Sequence, residues 1–143
     1  MRRYWTWVYI LLQCTWGILQ TVVGLFVFLW YARSPHERFG GAVHTRWNRT
    51  DGLSLGLFIF TPKREDLSLI LRTHEYGHTI QSLLLGPFYL ILVGIPSAVW
   101  ANFPACVQWR RRNEISYSWF FAERWADRLG EGFKKIRDNS ANQ

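Results

Sequence analysis

Cysteine and acidic residues are scarce in this chain, and internal repeats and low-complexity segments are absent. The two cysteines, Cys14 and Cys106, lie far apart and form no C-x-x-C pair, which argues against a structural disulfide. Ten Asp and Glu residues stand against 17 Lys and Arg residues, so the formal net charge is +7. No nucleic-acid fold signature accompanies this charge, and the basic residues flank apolar segments. We therefore expect membrane lipids, not nucleic acid, as its partner.

Charged side chains are also absent from residues 4–31. This stretch exceeds the roughly 20 apolar residues that a helix needs to cross a bilayer. Aromatic residues of the kind that favours membrane interfaces stand at its two ends, at Tyr4, Trp5, Trp7, Trp30 and Tyr31. The run is too long for a cleaved signal peptide and lacks a small-x-small site. We predict a retained transmembrane anchor over residues 1–32 and a minimal membrane-associated domain over residues 33–143.

Small and weakly polar residues recur within the anchor at helical spacing. They are Gln13, Gly17, Gln20, Thr21 and Gly24. We interpret them as a face that packs against another helix, since small and amide side chains allow close approach and hydrogen bonding. Scattered tolerance of such residues in an apolar segment is the alternative.

The strongest motif in the chain is the run from His74 to His78, which fits the pattern H-E-x-x-H. On a helix, residues four apart share a face, so His74 and His78 can direct both imidazoles at one metal ion. Glu75 then lies beside them, placed to take a proton from a metal-bound water. The alternative is a pair of ordinary surface or core histidines.

The sequence around the motif predicts the helix that the motif needs. Pro62 and Asp66 resemble a helix start, and one apolar side continues until Gly86-Pro87 breaks it. The resulting helix has about 18 residues and carries the motif near its middle.

Two short strands are predicted between the anchor and the motif helix. Residues 33–41 read as a polar linker that contains Pro35 and a Gly40-Gly41 break. Residues 42–47 and 53–60 have the composition of strands, and the loop between them ends in an Asp-Gly turn signal. These features predict a β-hairpin before the motif helix.

A second apolar segment follows the motif helix over residues 83–103 and is interrupted by Gly94 and Pro96. Its length approaches that of a membrane crossing, and three consecutive arginines at residues 110–112 mark an interfacial stop.

The last organised element is predicted as a helix from about Ser118 to Leu129, ended by Gly130. The predicted fold is therefore α+β and mainly helical. It comprises a transmembrane helix, a short β-hairpin, the H-E-x-x-H helix, a re-entrant or second membrane segment and a C-terminal helix.

A catalytic zinc ion needs three protein ligands and an open position, so two histidines do not complete a site. The last helix offers Glu123 and Asp127, which are four residues apart and share a face. A solvated face paired with neighbouring arginines is the alternative for these two carboxylates. His36 and His44 are rival ligands, although a lone histidine is more often an ordinary surface residue.

The combination of H-E-x-x-H with a later E-x-x-A-D resembles the gluzincin zinc metallopeptidases. The Ala-Asp detail is similar to the membrane-bound group of the CAAX prenyl protease and the bacterial heat-shock membrane protease. This resemblance implies Zn²⁺ as cofactor, with His74, His78 and Glu123 as ligands and Glu75 as general base. It also implies that Asp127 accepts a hydrogen bond from the other nitrogen of His74, which fixes the ring of a ligand histidine.

A site completed by Glu123 restricts the path of the apolar segment, because a simple crossing would leave Glu123 on the far side of the membrane. Either the segment bends back between Gly94 and Pro96, or the motif helix lies at membrane depth in a protein-lined, wet cavity. The positive-inside rule leans toward a cytoplasmic site, because more arginines follow the anchor than precede it. These are Arg33, Arg38, Arg46 and Arg49 against Arg2 and Arg3.

The leading hypothesis is an integral-membrane zinc metallopeptidase that cleaves membrane-associated peptides or proteins, with Glu75 as general base. A non-catalytic membrane protein is an alternative, in which structural zinc or a His and Glu clamp staples a minimal domain. A zinc hydrolase of a lipid or a small amide is another. The possible edge strand for an extended substrate, or otherwise a core strand, comprises Leu53, Ser54, Leu55, Gly56 and Leu57.

Overall fold

The computed structural model describes residues 3–141, which combine α-helices with one small sheet. The helices are α1 (Arg3–Thr15), α2 (Ile18–Trp30), α3 (Glu65–Leu85), α4 (Ile95–Asn102), α5 (Pro104–Arg112) and α6 (Phe121–Ala141). The strands are β1 (His36–Phe39), β2 (Ala42–Trp47), β3 (Leu53–Leu55) and β4 (Phe58–Pro62). The prediction of a mainly helical α+β fold is confirmed.

The charge-free N-terminal stretch is not the single helix that was predicted. It forms two helices, α1 and α2, that meet at a bend of 95° next to Gly17. A helix break leaves backbone carbonyls without their usual partners. At this break the Thr21 hydroxyl donates a hydrogen bond of 2.8 Å to the carbonyl oxygen of Gln13. A side chain of α2 therefore satisfies a backbone group that α1 leaves open.

The small, weakly polar face of α1 and α2 packs against α3, so the predicted packing face is confirmed. The Gln13 amide donates to the carbonyl oxygen of Thr79 (2.9 Å) and accepts from the Ser82 hydroxyl (3.0 Å). The Gln20 amide donates to Ser82 Oγ (2.7 Å) and to the Gly86 carbonyl oxygen (3.1 Å). These side chains are buried, so the N-terminal helices belong to the same packed core as α3.

The four strands form one mixed sheet in the order β1-β2-β4-β3. Strands β1 and β2 are antiparallel and are joined by Gly40-Gly41, whose φ angles of +60° and +101° suit a tight two-residue hairpin. Strand β2 pairs in parallel with β4, and β3 pairs with β4 antiparallel. A segment read as a linker in the sequence thus contributes an edge strand.

The predicted hairpin between residues 42–47 and 53–60 is wrong, because the second stretch folds back on itself. Gly56, with a φ of +58°, begins a two-residue turn that divides this stretch into β3 and β4. Every residue of β4 is buried, and the strand lies between β2 and β3. A continuous apolar strand of this kind fits the centre of a sheet that is covered on both faces.

The two faces of the sheet are covered by different helices. Phe58 and Phe60 of β4 point toward α2, where the Phe58 ring stacks on Phe28 with centroids 5.3 Å apart. Ile59 points the opposite way and packs in a cluster with Tyr76 of α3. This alternation follows the two-residue period of a strand and places the sheet between α2 and α3.

The predicted motif helix is confirmed as α3, which has 21 residues. It begins with Glu65 and Asp66, whose negative charges suit a helix N-terminus. It ends at Gly86, which has a φ of +53°.

The second apolar segment bends after α4 and not between Gly94 and Pro96, where one of the two alternatives located the bend. A π-helical turn over Leu90–Gly94 leads directly into α4, and Pro96 lies in the first turn, where its missing N–H is not needed. The chain bends by 66° after α4, at the extended residue Phe103 that precedes Pro104.

Within residues 3–141, no single helix is both long enough and apolar enough to cross a bilayer. Two bent helix pairs meet the requirement by length and composition when each pair is taken together. The first pair is Tyr4–Thr15 with Ile18–Trp30, and the second is Leu90–Asn102 with Pro104–Arg112.

The last helix, α6, starts later than predicted and does not end at Gly130. Gly130 lies where α6 crosses α3, and a Cβ atom there would collide with the carbonyl oxygen of Thr73. Gly77 of α3 has the reciprocal role, because its missing side chain admits the backbone of Ala126. Glycine at both positions lets the two helix backbones approach closely. Gly130 is therefore a packing residue and not a helix stop.

Candidate metal centre

Two histidines of α3 and one glutamate of α6 converge where these helices cross. His74 and His78 lie one helical turn apart, and Glu123 lies in the first turn of α6. Glu123 Oε2 is 3.0 Å from His74 Nε2 and 3.4 Å from His78 Nε2. One ligand atom from each residue lies within 4.8 Å of the others, so the cluster could hold a metal ion.

Hydrogen bonds at the far side of each imidazole fix the two rings. The His74 Nδ1–H group donates to Asp127 Oδ1 (2.6 Å), and Asp127 Oδ2 accepts from the Ser118 hydroxyl (2.5 Å). The His78 Nδ1–H group donates to Gln81 Oε1 (2.7 Å), and the Gln81 amide donates to a carbonyl oxygen of α6 (2.8 Å). Asp127 thus occupies the position that the resemblance implied, and the Nε2 atoms of both rings face Glu123 Oε2.

The spacing of these atoms fits a small, positively charged ion. Two lone pairs and a carboxylate oxygen repel one another unless a shared proton or a metal ion lies between them. Donors bound tetrahedrally at about 2.0–2.2 Å from zinc are about 3.4 Å apart. The separations of 3.0 and 3.4 Å from Glu123 Oε2 are close to that value. Two imidazole nitrogens with one carboxylate are also a donor set that zinc accepts.

The pKa shifts of the cluster also indicate that a positive charge between its side chains would be stabilising. Burial by itself raises the pKa of Glu123, but hydrogen bonds from His74 and His78 outweigh it and hold the pKa far below its usual range. Burial likewise lowers the pKa of His74, yet Glu123, Glu75 and Asp127 raise it to about 9. Glu123 is fully buried, and its Oε1 atom has no hydrogen-bond partner among the described residues. The Ser97 hydroxyl also contributes to the lowered pKa of Glu123.

Glu75, the predicted general base, lies beside the cluster in a tightly shaped space. Its carboxylate packs against Gly52, where a Cβ atom would collide with Oε1. Its backbone carbonyl accepts a hydrogen bond of 2.9 Å from the Ser54 hydroxyl of β3. Burial raises the pKa of Glu75, which suits a carboxylate that has to take up a proton near neutral pH.

A cavity of about 800 Å³ adjoins the cluster. His74, Glu75, His78 and Glu123 line one part of it, so the cluster is accessible from this space. The remaining walls come mainly from the loop of residues 49–52, from β3 and from α4, and their surface is largely apolar. They include Val27, Tyr31, Leu53, Leu55, Ile95 and Ala98. A bound molecule with apolar groups would therefore have direct access to the metal ligands.

The rival histidines are not brought to the cluster. His36 is exposed on β1, and its Nδ1–H group donates to the carbonyl oxygen of Ser34 (3.0 Å). His44 is fully buried on β2, but its two ring nitrogens bond to Glu37 and Thr61.

The proposed substrate strand divides at the turn. Leu53, Ser54 and Leu55 form β3, which has no strand on its outer side among the described residues. Gly56 and Leu57 belong to the turn that joins β3 to β4. The three strand residues line the cavity, and the two turn residues do not.

Sequence reasoning missed the residues that support the ligands. Gln81 lies three residues after His78, at a spacing where a helix brings side chains together, and this spacing was a usable signal. Gly52 was noticed only as part of a turn, since nothing local indicates that Glu75 needs its empty space. Ser118 bonds to Asp127 across a chain reversal, and sequence alone gives no sign of that contact.

Comparisons with known proteins assign this chain to no family. No protein-family model matches the chain, and searches of curated proteins and of solved structures found no significant match. The chemistry of the candidate centre is thus inferred from its own geometry.

Proposed function

We propose that this chain is a small membrane-associated zinc metallopeptidase. The observation that carries the proposal is the convergence of His74, His78 and Glu123 on one point, with Glu75 beside them at a cavity. A zinc ion held by these residues would polarise a scissile carbonyl group and lower the pKa of a bound water. Asp127 and Gln81 would keep both ligand rings in the required orientation.

Glu75 is the residue we assign to proton transfer. Its carboxylate lines the cavity next to both histidines, and burial keeps its pKa raised. A carboxylate in this state accepts a proton more readily than an exposed one and can deliver it to the leaving amine. Gly52 supports this role, because only a residue without a side chain leaves room for the carboxylate.

Strand β3 is the wall against which we expect a peptide substrate to lie. It is the outer strand of the sheet next to β4, and its residues line the cavity that contains the metal ligands. An outer strand can receive an extended peptide as a further strand. The Ser54 carbonyl oxygen already accepts a hydrogen bond of 3.5 Å from the Tyr89 hydroxyl, so a peptide would pair with the backbone groups of β3 that remain open. Peptide hydrolysis is therefore favoured over hydrolysis of a lipid or a small amide.

Membrane association is supported by the surface of the two bent helix pairs. Large apolar side chains are well exposed on the first pair, for example Phe26 (69%) and Trp30 (86%). They are equally exposed on the second pair, for example Ile91 (67%) and Ile95 (59%). Such extended apolar surfaces are typical of contact with lipid or with another protein. A cytoplasmic orientation of the site stays a prediction from the arginine distribution.

Substitution of the general base tests the proposal. The protein is purified in a neutral detergent, loaded with zinc and assayed against a library of quenched fluorescent peptides. Glu75→Gln should lower the rate of hydrolysis by about 10²- to 10⁴-fold while the zinc content stays unchanged. Glu65→Gln is the matched control, because Glu65 lies on the same helix but is highly exposed.

Three outcomes separate the candidate functions. A Glu75-dependent activity in a zinc-containing protein supports the metallopeptidase. A zinc-containing protein without Glu75-dependent hydrolysis would instead be a structural clamp. A protein that takes up no zinc would rule out the metallopeptidase and the zinc clamp, and would leave a clamp formed by the His and Glu side chains alone.

A further inference from the structure

We propose that Arg110 forms a binding subsite for an anionic group of the substrate, a carboxylate or a phosphate, in the same cavity as the metal ligands. The inference rests on the proposed function, since it assumes that the cavity receives a substrate. It adds a chemical class to that function: a molecule with an apolar body and a negative charge at a fixed distance from the reacting bond.

Arg110 lies at the wall of the cavity and contacts two aromatic rings. Arg110 lies in the last turn of α5 and lines the cavity together with Tyr117 and Glu123. Its guanidinium carbon is 5.0 Å from the centre of the Trp100 ring and 5.1 Å from the centre of the Tyr117 ring. Two aromatic rings thus hold the cation in place, as cation–π contacts do.

Arg110 has no counterion among the described residues. No carboxylate oxygen of these residues lies within 4.0 Å of its guanidinium nitrogens. Its Nη2 atom donates to the carbonyl oxygens of Trp100 (3.1 Å) and Ala101 (3.4 Å). The Nε atom is buried and has no hydrogen-bond partner among the described residues. Five other arginines pair with acids, namely Arg46, Arg49, Arg64, Arg72 and Arg137. The remaining arginines between residues 4 and 139 are exposed, whereas Arg110 is half-buried.

An unpaired, partly buried cation is costly unless an anion completes it. The planar guanidinium presents donors in a fork that matches a carboxylate or a phosphate. The acids that line the cavity do not supply this partner. Asp51 is paired with Arg49, and Glu123 and Glu75 belong to the candidate metal centre. The open partner of Arg110 is therefore expected to arrive with the substrate.

The distance between Arg110 and the metal ligands suits a peptide-sized molecule. The Tyr117 ring is near both, with its centre 6.3 Å from the centre of the His74 ring and 5.1 Å from the Arg110 guanidinium carbon. The span cannot exceed these two separations together, and three to four extended residues cover it at about 3.4 Å each. A substrate carboxylate or phosphate would thus stand a few residues from the bond to be cleaved.

Binding of two matched probes tests the subsite without relying on hydrolysis. Suberic acid monohydroxamate carries a zinc-binding hydroxamate at one end and a free carboxylate at the other, and the second probe ends in a neutral primary amide. Affinities for the zinc-loaded protein in neutral detergent are measured by calorimetry. We expect the wild type to bind the carboxylate probe about tenfold or more tightly than the amide probe.

Arg110→Gln should remove this preference and leave the affinity for the amide probe unchanged, which also shows that the fold and the zinc are intact. Arg111→Gln is the control, because Arg111 is exposed on the same helix and should behave as wild type. Arg110→Lys keeps the charge without the fork and should retain a reduced preference. It replaces the Gln variant if that variant does not fold.

Each remaining outcome has a defined meaning. A preference that stays at the wild-type level in a folded Arg110→Gln or Arg110→Lys protein, or that is absent in the wild type, would overturn the subsite while leaving the candidate metal centre in place. If neither probe binds the zinc-loaded wild type, the proposed function fails and the subsite fails with it. A third probe with a phosphonate end identifies the source of the anion: tighter binding than the carboxylate indicates a lipid phosphate, and weaker binding indicates an acidic peptide group.

Discussion

The cluster around His44 and the cluster of His74, His78 and Glu123 both combine histidine with a glutamate, but their geometries differ. His44 on β2 is surrounded by partners for both ring nitrogens: its Nδ1–H group donates to Glu37 (3.1 Å), and its Nε2 accepts from the Thr61 hydroxyl (2.7 Å). Thr61 and Ser68 are hydrogen-bonded to each other at 2.8 Å, which links the ring to α3. Each ring nitrogen has its own partner, and within residues 3–141 His44 belongs to no group of three side chains that could hold a metal ion.

The cluster of His74, His78 and Glu123 lacks a positive charge between its ligand atoms, which a metal ion would provide. Two Nε2 atoms converge on one carboxylate oxygen, the other carboxylate oxygen has no partner, and the group adjoins a cavity. Burial and hydrogen bonding therefore do not distinguish a metal centre from a structural histidine. The distinguishing features are convergence of lone pairs and access from a cavity.

The largest expected effect comes from removing the glutamate of each cluster. Glu123→Gln should abolish stoichiometric zinc binding and hydrolysis, because the neutral amide no longer offsets the charge of the ion. Glu37→Gln should leave zinc unchanged and alter stability by about 1 kcal/mol or less, since Glu37 is half exposed. Zinc content by mass spectrometry checks both. Zinc retained at wild-type level in Glu123→Gln would mean that Glu123 is not a ligand.

A second prediction concerns the crossing of α3 and α6, which positions the cluster of His74, His78 and Glu123 but not the cluster around His44. Gly130→Ala introduces a Cβ atom against the Thr73 carbonyl oxygen, so α3 and α6 must separate. We expect a loss of stability of about 1–3 kcal/mol or more, together with weaker zinc binding. The matched control is Gly132→Ala two residues later, where a Cβ atom would meet no atom within 4 Å.

Thermal unfolding and zinc titration compare these two glycine variants. The control should be neutral or stabilising by up to about 1 kcal/mol, since alanine favours a helix. Equal behaviour of the two variants would show that the close crossing does not determine the geometry of the site.

A third prediction concerns the group that orients each imidazole. Asp127→Asn weakens the hydrogen bond to His74 Nδ1 and should reduce zinc affinity by about 10- to 100-fold. Thr61→Val leaves His44 Nε2 without a partner, which costs about 1–3 kcal/mol of stability but should not change zinc affinity. Competition with a zinc chelator measures the affinities. Loss of zinc affinity in a folded Thr61→Val protein would contradict the separation of the two clusters.

The smallest effect is a pH dependence that belongs to His44. Burial lowers the pKa of His44 below 6.5, against the opposing contribution of Glu37. The unfolded chain therefore binds the proton more readily, and stability falls as pH decreases through about 6.5. Arg46 and Arg72 also disfavour a charged ring. In zinc-loaded protein, urea unfolding should show that wild type loses more stability than His44→Gln between pH 7.5 and 5.5. A constant difference would contradict the assignment.

The candidate metal centre was predictable from the sequence to the extent that its geometry is local. The four-residue spacing of His74 and His78 fixes their common face on any helix, and Glu123 with Asp127 obeys the same rule. The buried face of α1 and α2 was visible for the same reason. Helical periodicity thus located both the ligands and a major packing surface.

The errors arose where long-range packing overrides a local signal. Gly130 looks like a helix stop, but it is required by Thr73 on another helix. The stretch from residue 53 to 60 looks like one strand, but Gly56 turns it so that β4 can pair with β2. The bend at Gly17 is offset by a hydrogen bond from Thr21, which only the folded arrangement reveals.

Metal content and ligand identity in the purified protein test the central claim most directly. Wild type and His44→Gln are isolated in neutral detergent with zinc, and metal stoichiometry is measured together with zinc K-edge X-ray absorption. We predict one zinc ion per chain in both proteins, with two imidazole nitrogens and oxygen donors at about 2.0–2.2 Å. Absence of stoichiometric zinc in wild type, its loss in His44→Gln, or sulfur ligands at about 2.3 Å would contradict the account.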